Sequence, residues 1–324
     1  MATINDVAEK AGVSVTTVSR VLNNRGYISE KTRRKVYETM EELHYQPNEI
    51  ARSLLRKQSN LIGLIVPNVS HPFFGEFTDV VEHYAYEYGY KLLLCHSQLD
   101  PNKEREYIGM MKRHRVDGII MGSHTLEVDE YRELNYPIVT VDRRIHQFPY
   151  VASDNLQGGR LAAQMLIGKG CRRIAHICGN RSLDMLANLR TTGFKEEIGL
   201  AGMESIILET NMDVFNQDEY RRIVSDLFTE YPDVDGVFTT SDIMASYVIK
   251  HCTGSGRRIP EDVRIVGYDD VAAAAWISPG ITTIKQPLPA MGKRAVELIH
   301  KQINGETIEQ ANIFPVELII RETT

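Results

Sequence analysis

Short apolar segments alternate with amphipathic segments of helical length from residue 61 to residue 324. This alternation is typical of α/β units, in which helices join parallel strands. The string VDGII, which begins at Val116, recurs as VDGVF at Val234, and IGLIVP at Ile62 recurs loosely as IAHICG at Ile174. The similar spacing of the two repeats predicts two lobes of one design, although short apolar strings also recur by chance.

We predict four strands in each lobe. Those of the first lobe are Leu61–Val66, Lys91–Cys95, Asp117–Met121 and Ile138–Val141. Those of the second are Arg173–Cys178, Ser205–Leu208, Asp235–Phe238 and Arg264–Gly267. Because each strand is followed by a helical segment, we expect two doubly wound parallel sheets.

Composition places the chain among globular proteins. Its length of 324 residues predicts two or three domains. With 43% hydrophobic and 25% charged residues, it is neither disordered nor collagen-like. No apolar run approaches the ~18 residues of a membrane span, and the start lacks a basic segment followed by an apolar one, so we expect a cytoplasmic protein. The four cysteines form no CxxC pair, which favours reduced thiols.

The net charge of −6 conceals an asymmetry along the chain. Residues 1–60 carry ten Lys and Arg against seven Asp and Glu, whereas the other 264 residues carry 27 against 36. Within the first segment, Arg25, Lys31, Arg33, Arg34 and Lys35 are opposed by Glu30 alone. Such an excess suits a surface that contacts phosphates, but it also occurs on solvated helix faces.

Two short helices are predicted near the start, on either side of the turn Gly12-Val13-Ser14. Thr3 and Asp6 have capping-box spacing at the first helix. Ser14 caps the second helix, Val15–Asn23, and Ser29 caps a third. The second helix presents an outward stripe of short polar side chains and one guanidinium, the types that reach base edges in the major groove. Any three-helix bundle also has polar outer faces. The stripe consists of Thr16, Ser19, Arg20 and Asn23.

The sequence continues with a proline stop, a short helical segment at residues 48–55 and a polar linker. TINDVAEKAGVSVTTVSRVLN, followed by HYQPNEIARSL, closely resembles the N-terminal domain and hinge of the LacI/GalR family of bacterial transcription regulators. The resemblance implies that Val15, Thr16 and Arg20 read bases and that Leu54 wedges into the minor groove. Val15 is apolar where some relatives carry a polar reader, so the operator sequence cannot be carried over. The predicted DNA-contacting residues are Thr3, Ser14, Val15, Thr16, Thr17, Ser19, Arg20, Asn23, Tyr27, Ala51, Leu54 and Leu55.

Ligands of open parallel sheets bind beyond the carboxyl ends of the strands, so the loops there are candidates for a binding site. These loops combine carboxylates, guanidinium groups and aromatic rings, a mixture that fits a sugar better than a lipid or a metal. Side chains such as Phe73 and Phe74 are core residues or helix-start anchors more often than stacking platforms, and Asp142 with Arg143 is consistent with a surface ion pair. The charged and aromatic candidates are Phe73, Phe74, Asp142, Arg143, Arg190, Asp242 and Asp269.

Residues 61–324 also resemble the periplasmic-binding-protein-like effector domain of the same family, most characteristically in GYDDVAAAAWISPGITTIKQP. The resemblance implies that Asp269 lines an effector cleft, that RTTGF supplies Arg190, and that TTSDIMA supplies Ser241 and Asp242. It also implies that HPFF forms an aromatic wall and that Gln286 lies at the crossover between lobes. The predicted effector set is therefore Phe73, Phe74, Asp142, Arg143, Arg190, Ser241, Asp242, Asp269 and Gln286.

We therefore predict an N-terminal all-α helix-turn-helix domain of the lambda-repressor-like type, followed by an α/β periplasmic-binding-protein-like domain of two doubly wound parallel-sheet lobes. The predicted boundaries are 1–46 for the DNA-binding domain, 47–60 for the hinge and 61–324 for the effector domain. One lobe comprises roughly 61–156 with 288–312, and the other 157–287 with 313–324. Trp276 either packs inside or lies on the cleft rim, and we favour packing. The chain has no C-terminal leucine heptad, so we expect a homodimer.

Three other classes of function compete with this one. The sequence contains no P-loop, GxGxxG, GxSxG or HExxH motif, so we expect neither an enzyme nor a cofactor or metal site. A periplasmic sugar-binding protein requires an export signal, and the start of this sequence lacks the basic and apolar segments of such a signal, so we do not expect this function. Some family members respond to a phosphorylated carrier protein or a purine co-repressor. The prediction is a repressor of a sugar-utilisation operon, with operator DNA and a sugar effector as partners; overall likeness points to sucrose or a related fructose-containing sugar.

Overall fold

The computed structural model describes residues 2–47, 58–123, 125, 130–131, 134, 136–145, 148–182, 184–210 and 216–324. The chain divides into two compact units, Met1–Ser59 and Asn60–Thr324. All four cysteines are buried free thiols. Among the described residues, no helix is long and apolar enough to cross a membrane.

The first unit is a three-helix bundle. Its helices are α1 (Ile4–Ala11), α2 (Val15–Leu22) and α3 (Glu30–Glu42), and their predicted N-caps are confirmed: Thr3 forms a capping box with Asp6, while Ser14 and Ser29 each accept a hydrogen bond from a backbone N–H. Gly12 ends α1 with φ at 61°, a backbone angle that favours glycine and sets the turn into α2. The core consists of Val7, Ala8, Ala11, Val18, Val21, Val36 and Met40.

The first lobe of the second unit is built on a parallel six-stranded sheet. The strand order is β11-β5-β4-β3-β1-β2. The strands are β1 (Leu61–Val66), β2 (Lys91–His96), β3 (Gly118–Met121), β4 (Ile138–Val141), β5 (Tyr150–Ser153) and β11 (Ala311–Phe314). The helices of this lobe are α4 (Pro72–Glu87), α5 (Pro101–Arg113) and α11 (Leu288–Ile303).

The second lobe repeats this plan. Its order is β12-β10-β9-β8-β6-β7, parallel except for the edge strand β12. The strands are β6 (Ile174–Cys178), β7 (Ser205–Glu209), β8 (Gly236–Thr239), β9 (Arg264–Asp269), β10 (Thr282–Lys285) and β12 (Glu317–Ile319). The helices are α6 (Asn155–Gly168), α7 (Leu189–Leu200), α8 (Gln217–Glu230), α9 (Asp242–Gly254) and the short α10 (Ala273–Trp276), and a 3-10 turn (Leu186–Asn188) precedes α7.

The predicted internal repeat and all eight predicted strands are confirmed within one or two residues. VDGII forms β3 and VDGVF forms β8, and these strands occupy equivalent positions in the two sheets. Four strands were missed: β5, β10, β11 and β12.

The chain crosses between lobes three times: after β5, after β10 and after β11. Asn155 begins a helix that packs on the second lobe, so the predicted boundary after residue 156 is slightly late. The boundary after residue 312 is wrong, because it falls inside β11, whose residues up to Phe314 pair with β5 of the first lobe.

Each sheet carries a core on both faces, as expected for doubly wound layers. In β1, Ile62, Leu64 and Val66 pack on the face covered by α4 and α11, whereas Ile65 packs on the other face with Met111 of α5. The preference for burying Trp276 is wrong: this side chain, at the end of α10, is 80% exposed.

Candidate functional site

The outward face of α2 forms a shallow groove with the turn that follows it. The predicted outward stripe lies here: Thr16 and Arg20 are exposed and Ser19 and Asn23 half-buried. Asn23 donates its side-chain amide to the carbonyl of Ser19 at 2.8 Å, which orients it along the groove. The groove is lined by Val15, Thr16, Ser19, Arg20, Asn23, Arg25 and Gly26. Arg25 was missed as a site residue, although its charge had been noted.

The structure describes four of the other predicted DNA contacts, Thr3, Ser14, Thr17 and Tyr27. Thr3 and Ser14 are exposed caps, and Thr17 Oγ1 lies 2.9 Å from Ser14 Oγ. Tyr27 is 96% exposed. Ala51, Leu54 and Leu55, like the predicted hinge helix at residues 48–55, lie outside the described residues.

A polar cluster joins the two lobes of the second unit. Asp142 follows β4 with φ at 54°, and Arg190 lies in the first turn of α7. Between them, Asn155 donates from Nδ2 to Asp142 Oδ1 at 3.1 Å and accepts on Oδ1 from Arg190 Nε at 2.7 Å. Asp142 Oδ2 and Arg190 Nη2 are 4.0 Å apart. The backbone N–H of Leu186 also donates to the carbonyl of Asp142, at 2.8 Å.

Close helix packing brings Arg190 to this position. A Cβ at Gly159 of α6 would overlap the carbonyl oxygen of Arg190, and a Cβ at Gly193 of α7 would overlap that of Leu156. The two helices therefore approach each other through glycine on both sides. Arg190 also donates from Nη1 to the carbonyl of Thr240 at 3.0 Å, so its guanidinium is held at both ends.

A hydrogen-bonded chain links Asp269 to the first lobe. Asp269 ends β9 with φ at 108°, and its Oδ1 accepts from Gln286 Nε2 at 2.8 Å. Gln286 Oε1 in turn accepts from Ser153 Oγ at 2.8 Å. Since Ser153 ends β5 and Gln286 follows β10, this chain connects two of the three crossovers between lobes.

Two predicted cleft residues make contacts within the second lobe instead. Asp242 is buried; its carboxylate accepts from Val271 N–H at 3.0 Å and from Thr283 Oγ1 at 2.5 Å. Ser241 caps α9 by accepting from the N–H of Met244. The structure thus places both side chains in contacts that order the loops around the cleft.

Three further predicted residues lie in the first lobe. Phe73 is buried in its core and stacks with Phe77 at a ring-centroid distance of 6.4 Å. Phe74 is half-buried and meets the Phe73 ring edge-on at 5.0 Å. Arg143 is buried with its guanidinium carbon 5.5 Å from the centroid of the Tyr131 ring.

Burial dominates the electrostatics of the cleft carboxylates. It raises the pKa of Asp142, against the lowering effects of the Arg190 charge and the Asn155 hydrogen bond. It raises the pKa of Asp269 to about 7, although Arg190 and Gln286 both lower it. Burial and then the charge of Asp269 raise the pKa of Asp242 well above 3.8. Desolvation is the largest cause for all three carboxylates; the Arg190 charge partly offsets it at Asp142 and Asp269, and hydrogen bonds from Thr283 and Val271 partly offset it at Asp242.

Asn155, Ser153 and Tyr268 were missed from the sequence. The signal for the first two was present, because a binding residue is expected beyond the end of each strand. However, β5 is only four residues long and was not predicted, so the loop after it was not searched. Among the described residues, no group of His, Cys, Asp and Glu side chains is arranged to hold a metal ion.

Comparison with known proteins identifies the family. Residues 3–48 match the model of the bacterial regulatory proteins of the lacI family, and residues 163–324 match that of the periplasmic binding protein-like domain. The ribose operon repressor of Halalkalibacterium halodurans is 39% identical over 100% of this chain and 97% of its own length. The chain belongs to the LacI family. The sucrose operon repressor of Streptococcus mutans is 38% identical to this LacI-family protein, over 100% of this chain and 99% of its own.

Two solved structures resemble this LacI-family protein closely. The Lac repressor dimer bound to operator and the anti-inducer ONPF has a TM-score of 0.88 and 27% identity, with 99% of this chain and 98% of the other covered. A periplasmic binding protein/LacI transcriptional regulator from Alkaliphilus metalliredigens in complex with D-xylulofuranose has a TM-score of 0.73 and 34% identity, covering 82% of this chain and 99% of the other. The likenesses confirm the predicted family and fold class.

Proposed function

We propose that this LacI-family protein is a homodimeric, sequence-specific repressor of a carbohydrate-utilisation operon, and that a sugar bound between the lobes controls its affinity for operator DNA. The observation that carries the proposal is the buried link from Asp142 of the first lobe through Asn155 to Arg190 of the second. A ligand that replaces or extends this link changes the relation between the lobes. The relatives named for ribose and sucrose operons and the D-xylulofuranose complex support a sugar.

The outward face of α2 is the surface that reads DNA in this proposal. Arg20 and Asn23 carry the donors and acceptors that distinguish base edges, and Thr16 and Val15 supply short contacts. Arg33, Arg34 and Lys35 of α3 contact phosphates, which fixes the register of α2 without reading sequence. The caps Thr3 and Ser14 and the exposed Tyr27 complete the DNA-facing surface within the described residues. The operator-bound Lac repressor dimer supports the same use of this unit.

We assign the sugar contacts to Asp142, Arg190, Asp269 and Gln286, with Phe74 at the wall. Carboxylates accept from sugar hydroxyls, and the guanidinium donates to them as a fork. Asp242 and Ser241 act by ordering the loops, and Phe73 and Arg143 by supporting the wall from the first lobe.

The charge of the cleft favours a neutral sugar over a phosphorylated one. The charge of Asp142 raises the pKa of Asp269, and the charge of Asp269 raises the pKa of Asp242, so the cleft concentrates negative charge. Arg190 is the cation that lowers the pKa of Asp142 and Asp269, and two of its five N–H groups already donate to Asn155 and Thr240. A phosphate carries about −1.5 to −2 charge at neutral pH, and its burial beside carboxylates is unfavourable. A neutral sugar meets no such repulsion.

Control of DNA binding requires that the sugar bind one state of the protein more tightly than the other. Reported coupling free energies between such sites are about 1–3 kcal/mol. In our proposal, sugar binding changes the spacing of the two hinge segments in the dimer and thereby changes operator affinity. The hinge helix that the sequence predicts lies outside the described residues. The protein acts by binding alone, in the cytoplasm, without a cofactor.

Calorimetric titration of the purified protein tests the class of effector. Sucrose, D-fructose and D-ribose are each compared with sucrose 6-phosphate, D-fructose 6-phosphate and D-ribose 5-phosphate. We expect a neutral sugar to bind and its phosphorylated partner to bind at least about tenfold more weakly. Tighter binding of a phosphorylated sugar would show that the charge argument is wrong. If no sugar binds, the sugar proposal fails, and a phosphorylated carrier protein becomes the next ligand to titrate.

A further inference from the structure

Asn155 lies at the centre of the polar cluster between the lobes. It is the first residue of α6 and is 2% exposed. Its Nδ2 donates to Asp142 Oδ1 and to the carbonyl of Ser153, both at 3.1 Å. Its Oδ1 accepts from Arg190 Nε at 2.7 Å. The same oxygen also accepts longer hydrogen bonds from the hydroxyl groups of Tyr268, at 3.4 Å, and Ser153, at 3.5 Å. Both hydrogens of the amide nitrogen and the acceptor capacity of the oxygen are therefore used inside the protein.

Only a side chain with a donor and an acceptor can make these contacts together. A carboxylate at residue 155 would accept from Arg190 but could not donate to Asp142, and an apolar side chain could do neither. The two charged groups form a long ion pair: Arg190 Nη2 and Asp142 Oδ2 lie 4.0 Å from each other, beyond hydrogen-bond distance, and the Asn155 amide is hydrogen-bonded to both side chains.

We propose that Asn155 is a positioning residue that prevents Asp142 and Arg190 from forming a direct hydrogen-bonded pair, so that hydroxyl groups of the effector can bridge them. A bidentate guanidinium–carboxylate pair is among the strongest side-chain interactions, and water-poor surroundings strengthen it. An effector would have to break such a pair before it could bind. With Asn155 between them, both charges keep hydrogen-bonding capacity for the ligand. This inference rests on the proposed function, because it assumes that a sugar occupies the cleft.

Asn155 also favours the ionised form of Asp142. Its hydrogen bond lowers the pKa of Asp142, as does the charge of Arg190, against the raising effect of burial. Tyr268 and Asp269, both from β9, also interact electrostatically with Asp142, and the buried Arg143 is its neighbour in sequence. Loss of the Asn155 amide should therefore shift the titration of Asp142 upward, so sugar affinity should begin to fall at a higher pH.

The test uses the intact protein and four variants: Asn155→Ala, Asn155→Asp, Asp142→Asn and the double variant Asn155→Ala/Asp142→Asn. Binding of the neutral sugar that the wild type binds, among D-ribose, D-fructose and sucrose, is titrated from about pH 5 to pH 8, a range that spans the raised carboxylate pKa values. Operator binding without sugar and the melting temperature report whether each variant is folded.

We expect Asn155→Ala to weaken sugar binding about tenfold or more at the upper end of the range, and to move the acidic loss of affinity to higher pH. In Asn155→Ala/Asp142→Asn this pH shift should disappear, because the group that titrates is gone. Asn155→Asp preserves shape and the contact with Arg190, so it serves if the alanine variant does not fold. The sugar affinity of Asn155→Asp should be lowest at high pH. It should recover as the pH falls, because the protonated carboxyl group at residue 155 can again donate a hydrogen bond.

Wild-type affinity with an unchanged pH profile in Asn155→Ala or Asn155→Asp would overturn the positioning role while leaving the sugar proposal intact. An equal loss at every pH would also overturn it, since packing alone would then explain the effect. If the wild type binds none of the three sugars, the proposed function fails and this inference fails with it.

Discussion

The guanidinium carbon of Arg190 lies 3.6 Å from the centroid of the Tyr268 ring, and both side chains are buried. Arg190 comes from the start of α7 and Tyr268 from β9, so the stack joins two elements of the second lobe. With the ring on one face and hydrogen bonds to Asn155 and Thr240 at its edges, the guanidinium has a fixed plane. That plane determines which directions are available to a ligand.

Arg190→Lys should therefore not be conservative. An ammonium group neither stacks in the same way nor donates in two directions within one plane. A desolvated cation–π contact is worth about 2 kcal/mol, so sugar affinity should fall about tenfold or more. Calorimetric titration measures the change. Arg160→Lys, in an exposed pair with Glu196, is the matched control and should bind sugar normally. Wild-type sugar affinity in Arg190→Lys would contradict the role of the stacked guanidinium.

Gly159→Ala tests whether helix packing sets the position of Arg190. The added methyl group would collide with the carbonyl of Arg190, so α7 must move away from α6. We expect a loss of about 1–3 kcal/mol in unfolding free energy, together with weaker sugar binding. Gly168→Ala, at the far end of α6 with open space around it, is the control; it should be neutral or slightly stabilising. Thermal melts measure the change in stability and calorimetric titration measures the change in sugar affinity. If Gly159→Ala and Gly168→Ala change both quantities equally, helix packing does not set the position of Arg190.

Asp269 should make stability depend on pH. Burial raises its folded-state pKa to about 7, whereas an unfolded Asp titrates near 3.9. The folded protein thus holds this proton more tightly, so the stabilisation is full below about pH 4 and is lost as the pH rises through about 7.

Asp269→Asn removes the titrating group but can still accept from Gln286. As the pH rises from 5 to 8, the melting temperature of the wild type should therefore fall relative to that of this variant. The difference should be equivalent to a few kcal/mol of unfolding free energy. Asp226→Asn, in an exposed pair with Arg222, is the control: its melting temperature should differ from that of the wild type by the same amount at every pH. If the melting temperature of Asp269→Asn also differs from the wild type by a constant amount, Asp269 does not titrate in this way.

Arg20→Ala and Lys35→Ala should separate base reading from phosphate contact. Arg20 lines the groove of α2, so its loss should weaken binding to the cognate operator by about 1–3 kcal/mol and affect random DNA much less. Lys35, exposed on α3, should affect both DNAs about equally. Fluorescence anisotropy with the two duplexes measures both losses. An equal loss on both DNAs for Arg20→Ala would remove this residue from the reading set.

Local sequence signals predicted the first unit well. Thr3, Ser14 and Ser29 cap helices through bonds to residues three positions away, and Gly12 ends α1 by its own backbone preference, so sequence spacing was sufficient. The repeated VDG string predicted the two equivalent sheets for a similar reason, since each string forms one buried strand with its own apolar pattern.

The cleft was predicted only in part, because its contacts are long-range. In sequence, Asp242 and Asp269 look alike, each following a strand; only the fold shows that Thr283, from β10, engages Asp242. The contacts of Asn155 with Asp142 and Arg190 could be expected only from the sheet order, in which β5 pairs with β4. The burial of Phe73 beside the half-buried Phe74 likewise depends on how α4 lies on its sheet.

The central claim is that a sugar held between the lobes controls operator binding. It is tested most directly by measuring the operator affinity of the wild type and of Arg190→Ala, each with and without the sugar that the wild type binds. We predict that the sugar changes the wild-type affinity about 5- to 150-fold, and that Arg190→Ala binds operator normally but does not respond to the sugar. An Arg190→Ala protein that responds at the wild-type sugar concentration would contradict the account.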